Sequence, residues 1–127
     1  ISATHDAYLK KFGYLHSRKI NFLKKDNVVH GTDTLSKKRN DYSDANFSIR
    51  FHIYPGIEAF QTVGGNDILL QLSKNDSLIF SSKNQNMKIE KSLFLGKNKI
   101  IGNNCIVIYG NTKNQDADIQ WELRKNN

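Results

Sequence analysis

The alternation of apolar and polar residues in the middle of the chain is the feature that most constrains its fold. Apolar side chains occupy every second position of one segment, namely Phe47, Ile49, Phe51 and Ile53. Successive side chains of a strand point to opposite faces, so this period of two predicts a strand with one buried face. A helix would need apolar residues three or four positions apart.

The same pattern recurs along most of the chain. Eight further segments carry it, at residues 18–23, 28–35, 57–63, 68–72, 77–82, 87–95, 105–109 and 119–124. Short clusters rich in Asn, Asp, Gly and Lys separate them, and such clusters favour the tight turns of antiparallel hairpins. We therefore predict an all-β fold, an antiparallel β-sandwich of about nine short strands.

A length of 127 residues is typical of one domain, so residues 1–127 are predicted to form a single sandwich. Residues 6–12 fit either one helical turn or an extended entry to the first strand, and residues 36–46 are predicted to be an exposed loop. The alternation places one set of apolar side chains in the core: Phe47, Ile49, Phe51, Ile53, Leu70, Leu72, Phe80, Leu93, Leu95, Ile106, Ile108 and Trp121.

The net charge of +7 favours anionic partners, whether nucleic acid, anionic lipid or acidic polysaccharide. No apolar stretch approaches the roughly 20 residues of a membrane-spanning helix, so no membrane partner is predicted. Cys105 lies in an apolar run, which predicts a buried, unreactive thiol and leaves the compartment undetermined. The chain begins at Ile1, which is compatible with a piece of a longer protein.

Motifs that carry catalysis are missing from the sequence: there is no nucleophile elbow, phosphate loop or dinucleotide fingerprint. The four histidines do not have the spacing of a metal site, and read singly they are structural or surface side chains. Lysine, arginine and aromatic residues are concentrated between residues 8 and 25. That mixture suits an anionic polymer, and it equally suits aromatic side chains in a core beneath solvated lysines.

Five short strings, in order, carry a family resemblance. They are THDAY at residues 4–8, LHSR at 15–18, FSIRFHIYP at 47–55, IEKSLFLG at 89–96 and WELRK at 121–125. Together they resemble the C-terminal region of heparinase II/III-like proteins, where HDGY, IHRR, RFHLHP, EESVYLG and WALRR-like strings follow one another. Ala7 stands where the family usually has Gly, Ser17 where it has Arg, and Tyr54 where it has His.

The resemblance implies the later part of a β-sandwich that follows a helical toroid in a polysaccharide lyase. Such enzymes cleave uronic-acid polysaccharides by β-elimination, with catalytic Asn, Tyr and His residues that match no position here. No catalytic residue is therefore assigned, and the isolated chain is expected to be inactive. The chain would complete the fold and flank a cleft for acidic polysaccharide.

The resemblance also suggests roles for individual residues. His5 is a candidate ligand of a structural metal whose other ligands lie upstream, and Arg18, Arg50 and His52 are candidate substrate contacts. The chain itself requires no cofactor, although a structural zinc or calcium is compatible with the full-length protein. A periplasmic or secreted parent is also compatible with the resemblance.

Two other classes of function remain open. An independent carbohydrate-binding or adhesive module would use the same basic and aromatic surface without chemistry, and a row of exposed aromatics on one sheet face would favour it. A nucleic-acid binder is supported by charge alone, since the recognisable binding signatures are absent.

Overall fold

The computed structural model consists of strands and turns, and it contains no helix in its described part. It describes residues 2–5, 13–40, 44–62, 64, 66–96 and 99–126, with the backbone alone at residues 2–5, 92, 94–96 and 99–101. Ten strands are present: β1 (Ser2–His5), β2 (Tyr14–Leu23), β3 (Val28–Lys37), β4 (Asn46–His52), β5 (Glu58–Gln61), β6 (Asp67–Gln71), β7 (Ser77–Ser81), β8 (Asn86–Gly96), β9 (Lys99–Asn111) and β10 (Ala117–Lys125).

The strands form two antiparallel sheets, which confirms the predicted all-β sandwich. The larger sheet has seven strands in the order β1-β2-β3-β10-β7-β6-β5, and the smaller has three in the order β4-β9-β8. Two of the predicted turns contain an Asn with a positive φ angle. Asn27, between β2 and β3, has a φ of 53°, and Asn84, between β7 and β8, has a φ of 62°.

The nine predicted strands are present, and β1 is an addition that the alternation did not reveal. The predicted loop at residues 36–46 is shorter than expected, because β3 continues through Lys37 and β4 begins at Asn46. Ala45, expected in an exposed loop, is buried. Residues 6–12, for which a helical turn or an extended entry was predicted, lie outside the described residues.

The core fills the space between the two sheets. Eight of the predicted core residues are buried: Phe47, Ile49, Ile53, Leu70, Phe80, Ile106, Ile108 and Trp121. Phe51 is half-buried, with its ring 4.8 Å from that of Phe80 and 5.0 Å from that of Trp121 between centroids. The aromatic cluster thus joins β4 of the small sheet to β7 and β10 of the large one.

Two predicted core residues are exposed instead. Leu72 follows the last residue of β6 and is 43% exposed, and Leu93 is 71% exposed. β4 pairs with β9 at residues 105–111 only, so the part of the β8–β9 hairpin that contains Leu93 extends past β4. Alternation identifies the face of a strand, but a side chain on that face is buried only where the opposite sheet covers it. The side chain of Leu95 lies outside the described residues.

The two ends of the sandwich differ in how they are covered. At the closed end, defined here by Tyr14, Leu35, Ala45, Phe47 and Thr112, all side chains are buried. The Ala45 N–H donates to Thr112 Oγ1 at 3.0 Å, and the Thr112 N–H donates to the Ala45 carbonyl at 2.9 Å. These bonds tie the chain entering β4 to the chain leaving β9 across that end.

The opposite end is less well covered. We call it the open end and define it by four segments: residues 24–27, 54–57, 72–76 and 124–126. β2, β6 and β10 end there, while β3, β5 and β7 begin there, as their antiparallel registers require. β4 must also end there, because five residues connect it to the start of β5. Phe22, Leu23, Tyr54 and Leu72 are exposed at this end.

Candidate functional site

Arg18 and Asp33 form an ion pair on the inner face of the large sheet. The two residues lie directly opposite each other on β2 and β3. Arg18 Nε donates to Asp33 Oδ1 at 2.8 Å, and Arg18 Nη2 donates to Asp33 Oδ2 at 2.9 Å. Two parallel charge-assisted hydrogen bonds of this kind are stronger and more specific in geometry than a single bond between neutral groups.

The surroundings of this pair are apolar and aromatic. The Asp33 side chain is fully buried and that of Arg18 is 28% exposed. The Arg18 guanidinium carbon lies 4.5 Å from the Phe51 ring centroid, close enough for a cation–π contact. Arg18, a candidate substrate contact, thus points inward on β2 and packs against the aromatic core.

The pKa of Asp33 is lowered. Burial alone would raise it, but contacts with His16 and Arg18 outweigh burial and stabilise the carboxylate. His16 Nε2 lies 3.7 Å from Asp33 Oδ2, which is longer than a hydrogen bond, so Arg18 is the principal partner. Asp33 therefore stays ionised under conditions in which an isolated buried carboxyl would be neutral.

His5, the candidate metal ligand, lies opposite His16 in the register of β1 and β2. Its side chain is outside the described part of the structure. Among the residues whose side chains are described, no group of three His, Cys, Asp or Glu residues could hold a metal.

Arg50 and His52, the other two predicted contacts, lie on the outer face of the small sheet. They are two positions apart on β4, and both are exposed. Their partners in the register, Val107 and Cys105, are buried on the same face. The structure therefore brings Arg50 and His52 together and places Arg18 on the other sheet. The prediction that Cys105 is buried is confirmed.

A polar network crosses this outer face. Arg50 Nη1 lies 3.5 Å from Glu90 Oε1, and the Tyr109 hydroxyl donates to the other oxygen of Glu90. Lys88 Nζ lies 5.9 Å from the centroid of the Tyr109 ring. We call Arg50, His52, Lys88, Glu90 and Tyr109 the outer-face group. It offers cations, a carboxylate and an aromatic ring on a solvent-accessible sheet.

The hydrogen bond to Glu90 raises the pKa of Tyr109, and desolvation and the negative charge of Glu90 add to this effect. The tyrosine hydroxyl is therefore held in its protonated, donating form.

Sequence reasoning missed Asp33, Glu90 and Tyr109. Asp33 alternates with Gly31 and Leu35 on the inward face of β3. A charged residue on a buried face indicates that it has a partner inside the protein. Glu90 and Tyr109 carry no comparable sign. They become neighbours only through the pairing of β8 with β9, which depends on a hairpin register.

Comparison with protein families gives one match. A family model described as "Heparinase II/III-like, C-terminal" matches residues 1–122. The comparison with curated proteins finds no match to this sequence.

Solved structures with a similar fold cover nearly the whole chain. Heparan sulfate lyase HepC from Pedobacter heparinus is 14% identical with a TM-score of 0.79, and a HepC mutant is 13% identical with a TM-score of 0.78. A heparinase III described as the BT4657 gene product, with methylated lysines, is 11% identical with a TM-score of 0.72. Each match covers 98% of this chain and 19% of the other, so this chain spans about a fifth of those proteins' length.

Proposed function

This chain belongs to the heparinase II/III-like C-terminal family, and on that premise we propose that it is the sandwich domain of a polysaccharide lyase. In this proposal residues 1–127 are one domain of a longer protein, following a helical toroid. The domain completes the fold and flanks a cleft for uronic-acid polysaccharide. It supplies no catalytic residue of its own.

The observation that carries the proposal is the outer-face group. Arg50 and Lys88 are exposed cations that can pair with carboxylate or sulfate groups, and Tyr109 adds a ring beside them. Glu90 holds both Arg50 and Tyr109 in place, which limits the side-chain entropy lost when a ligand binds. His52 borders the same surface at the end of β4.

Arg18 has a different part in the proposal. Its guanidinium is 28% exposed and already bonded to Asp33, so it supports the sheet more than it contacts sugar. His5 remains a candidate ligand only in combination with residues outside this chain. A zinc or calcium ion in the parent protein would then be structural, and the isolated chain would bind zinc weakly because most ligands are missing.

The catalytic part of the proposal is tested by comparing the isolated chain with the parent protein on heparan sulfate. We expect the parent to produce the ultraviolet absorbance of unsaturated uronate and the isolated chain to produce none. Absorbance from the isolated chain would show that it contains a complete catalytic site.

The binding part is tested on the isolated chain by titration with heparan sulfate at several salt concentrations. We expect weak binding that falls steeply with salt, since the cations are exposed and screened over roughly 8–10 Å. Arg50→Gln should weaken it roughly twofold to fivefold. Lys83→Gln, a matched loss of an exposed cation outside the outer-face group, should have a smaller effect.

The alternative is an independent carbohydrate-binding module. Salt-insensitive binding selective for one sugar, and lost when Tyr109 is replaced by Ala, would favour that module. If Arg50→Gln and Lys83→Gln weakened the binding of heparan sulfate equally, the binding would be explained by the net positive charge alone.

A further inference from the structure

The open end contains an apolar cleft between the two sheets. Its volume is about 310 Å³, and its lining is almost wholly apolar. Ile20, Val29 and Leu123 of the large sheet form one wall, and Tyr54 and Ile57 lie where the chain leaves the small sheet. Leu72 and Tyr54 are both lining and exposed, so the cleft opens directly to solvent.

The cleft follows from the unequal sizes of the sheets. Strands lie about 4.8 Å apart, so the outer strands of a three-stranded sheet are roughly 10 Å apart and those of a seven-stranded sheet roughly 29 Å. The small sheet therefore covers only part of the inner face of the large one. At the closed end hydrogen bonds between Ala45 and Thr112 tie the chain entering β4 to the chain leaving β9, whereas at the open end β4 stops at His52.

Exposed apolar side chains are concentrated around this cleft. Among the described residues, six large hydrophobic side chains are exposed, and four of them (Phe22, Leu23, Tyr54 and Leu72) lie at or next to the open end. Two of them, Tyr54 and Leu72, line the cleft itself, and exposed apolar side chains beside an apolar cleft mark an interaction site more often than an ordinary protein surface does. Phe60, on β5, lies away from it.

Charge at the open end is unbalanced. Its four defining segments contain five basic residues, Lys24, Lys25, Lys74, Arg124 and Lys125, and two acidic residues, Asp26 and Asp76. Two copies of this end would repel each other, which disfavours a symmetric dimer through it. A flat bilayer would cover the rim but leave a concave cleft unfilled. A polypeptide with an apolar side chain surrounded by carboxylates matches both the shape and the charge.

We propose that the open end docks onto the remaining polypeptide of the parent lyase, which inserts an apolar side chain into the cleft and places acidic residues beside its lysines. The identity of this partner rests on the proposed function. In the similar solved structures the larger part of the chain lies outside the matched region, so those proteins contain further polypeptide that could occupy such a cleft. Arg50, Lys88, Glu90 and Tyr109 of the outer-face group do not line the cleft and stay available to polysaccharide, whereas His52 borders both surfaces.

Hydrogen exchange followed by mass spectrometry, on the parent and on the isolated 127-residue chain, tests the docking. Amides of residues 22–27, 54–57 and 72–76 should exchange about tenfold or more slowly in the parent, because docking must open before they exchange. In the parent, the double substitution Tyr54→Ser with Leu72→Ser should abolish this protection. Phe60→Ser, which removes an exposed apolar side chain elsewhere, should leave it intact. The double substitution Lys74→Glu with Lys125→Glu should reduce the protection in the parent by roughly half or more, because it would repel the acidic residues of the partner.

Equal exchange in the two proteins would overturn the proposal. The proposal would also be overturned if the parent showed no protection and the isolated chain used the open end for another partner. That partner would be a second copy, seen as a dimer in sedimentation, or a membrane, seen as binding to phosphatidylserine vesicles. In either case the interaction would be lost in the Tyr54→Ser, Leu72→Ser variant. Lyase activity of the parent is measured on the same samples. Protection without activity would support docking and defeat the proposed function, whereas activity without protection would defeat the docking alone.

Discussion

Tyr14 and Leu35 at the closed end are 0% and 1% exposed, whereas Phe22 and Tyr54 at the open end are 61% and 69% exposed. Tyr14 and Phe22 belong to the same strand, β2, and are an even number of positions apart, so both are on the same face. What differs is the structure above them. Tyr14 lies at the end that the Ala45–Thr112 hydrogen bonds close, whereas Phe22 lies at the end where β4 stops.

The comparison shows that burial in this fold is decided by position along the sandwich as well as by strand face. The closed end has hydrogen bonds across it and no exposed large hydrophobic side chain among its defining residues. The open end has the cleft and the excess of positive charge. We therefore expect the closed end to determine stability and the open end to determine interaction.

The strongest test compares Leu35→Ala with Leu72→Ala in the isolated chain. Leu35→Ala should lower the free energy of unfolding by about 2–5 kcal/mol, since it leaves a cavity in a fully packed region. Leu72→Ala should lower it by less than about 1 kcal/mol, because this side chain is 43% exposed. Urea denaturation measures both, and comparable losses would show that the open end is as tightly packed as the closed end.

The Arg18–Asp33 pair lies between the two ends and is the next largest test. Asp33→Ala should cost about 2–3 kcal/mol at neutral pH. This is less than the loss of a fully buried pair, since Arg18 is 28% exposed and can be solvated.

The same pair predicts an acid dependence of stability. The pKa of Asp33 is lowered in the folded state, so the folded chain releases this proton more readily than the unfolded chain. Its stabilisation is complete above the unfolded pKa of about 4 and is lost as the pH falls through the lower folded value. The difference in stability between wild type and Asp33→Ala should therefore shrink on acidification below about pH 4. A difference independent of pH would mean that packing, rather than charge, is responsible.

Two glycines of β9 give the finest comparison. A Cβ at Gly110, near the closed end, would lie 2.3 Å from Phe47 Cζ, whereas one at Gly102 would have no atom within 4 Å. Gly110→Ala should therefore cost about 1–3 kcal/mol through overpacking. Gly102→Ala should be neutral or stabilising by up to about 1 kcal/mol, since it restricts the unfolded chain. Thermal unfolding of the two variants measures the difference. A destabilising Gly102→Ala would show that the chain around Gly102 is packed as tightly as the chain around Gly110.

Much of the fold could be predicted from the sequence. The period of two from Phe47 to Ile53 identified β4 and the inward side of each residue, because side-chain direction in a strand depends only on local backbone geometry. Asn27 and Asn84 marked turns for an equally local reason, since Asn tolerates a positive φ. The five short strings also identified the family, which the match over residues 1–122 confirms.

Other properties were decided by the tertiary structure alone. The pattern of residues along β2 does not show whether Arg18 faces solvent or a carboxylate. Only the pairing of β2 with β3 places Asp33 opposite it. Leu72 and Leu93 have the pattern of core residues but are exposed, because the smaller sheet does not extend over them. Local sequence determines strands, turns and faces through interactions between near neighbours. Which faces are covered depends on contacts between residues far apart in the chain, and for the open end we infer that it depends on a partner beyond it.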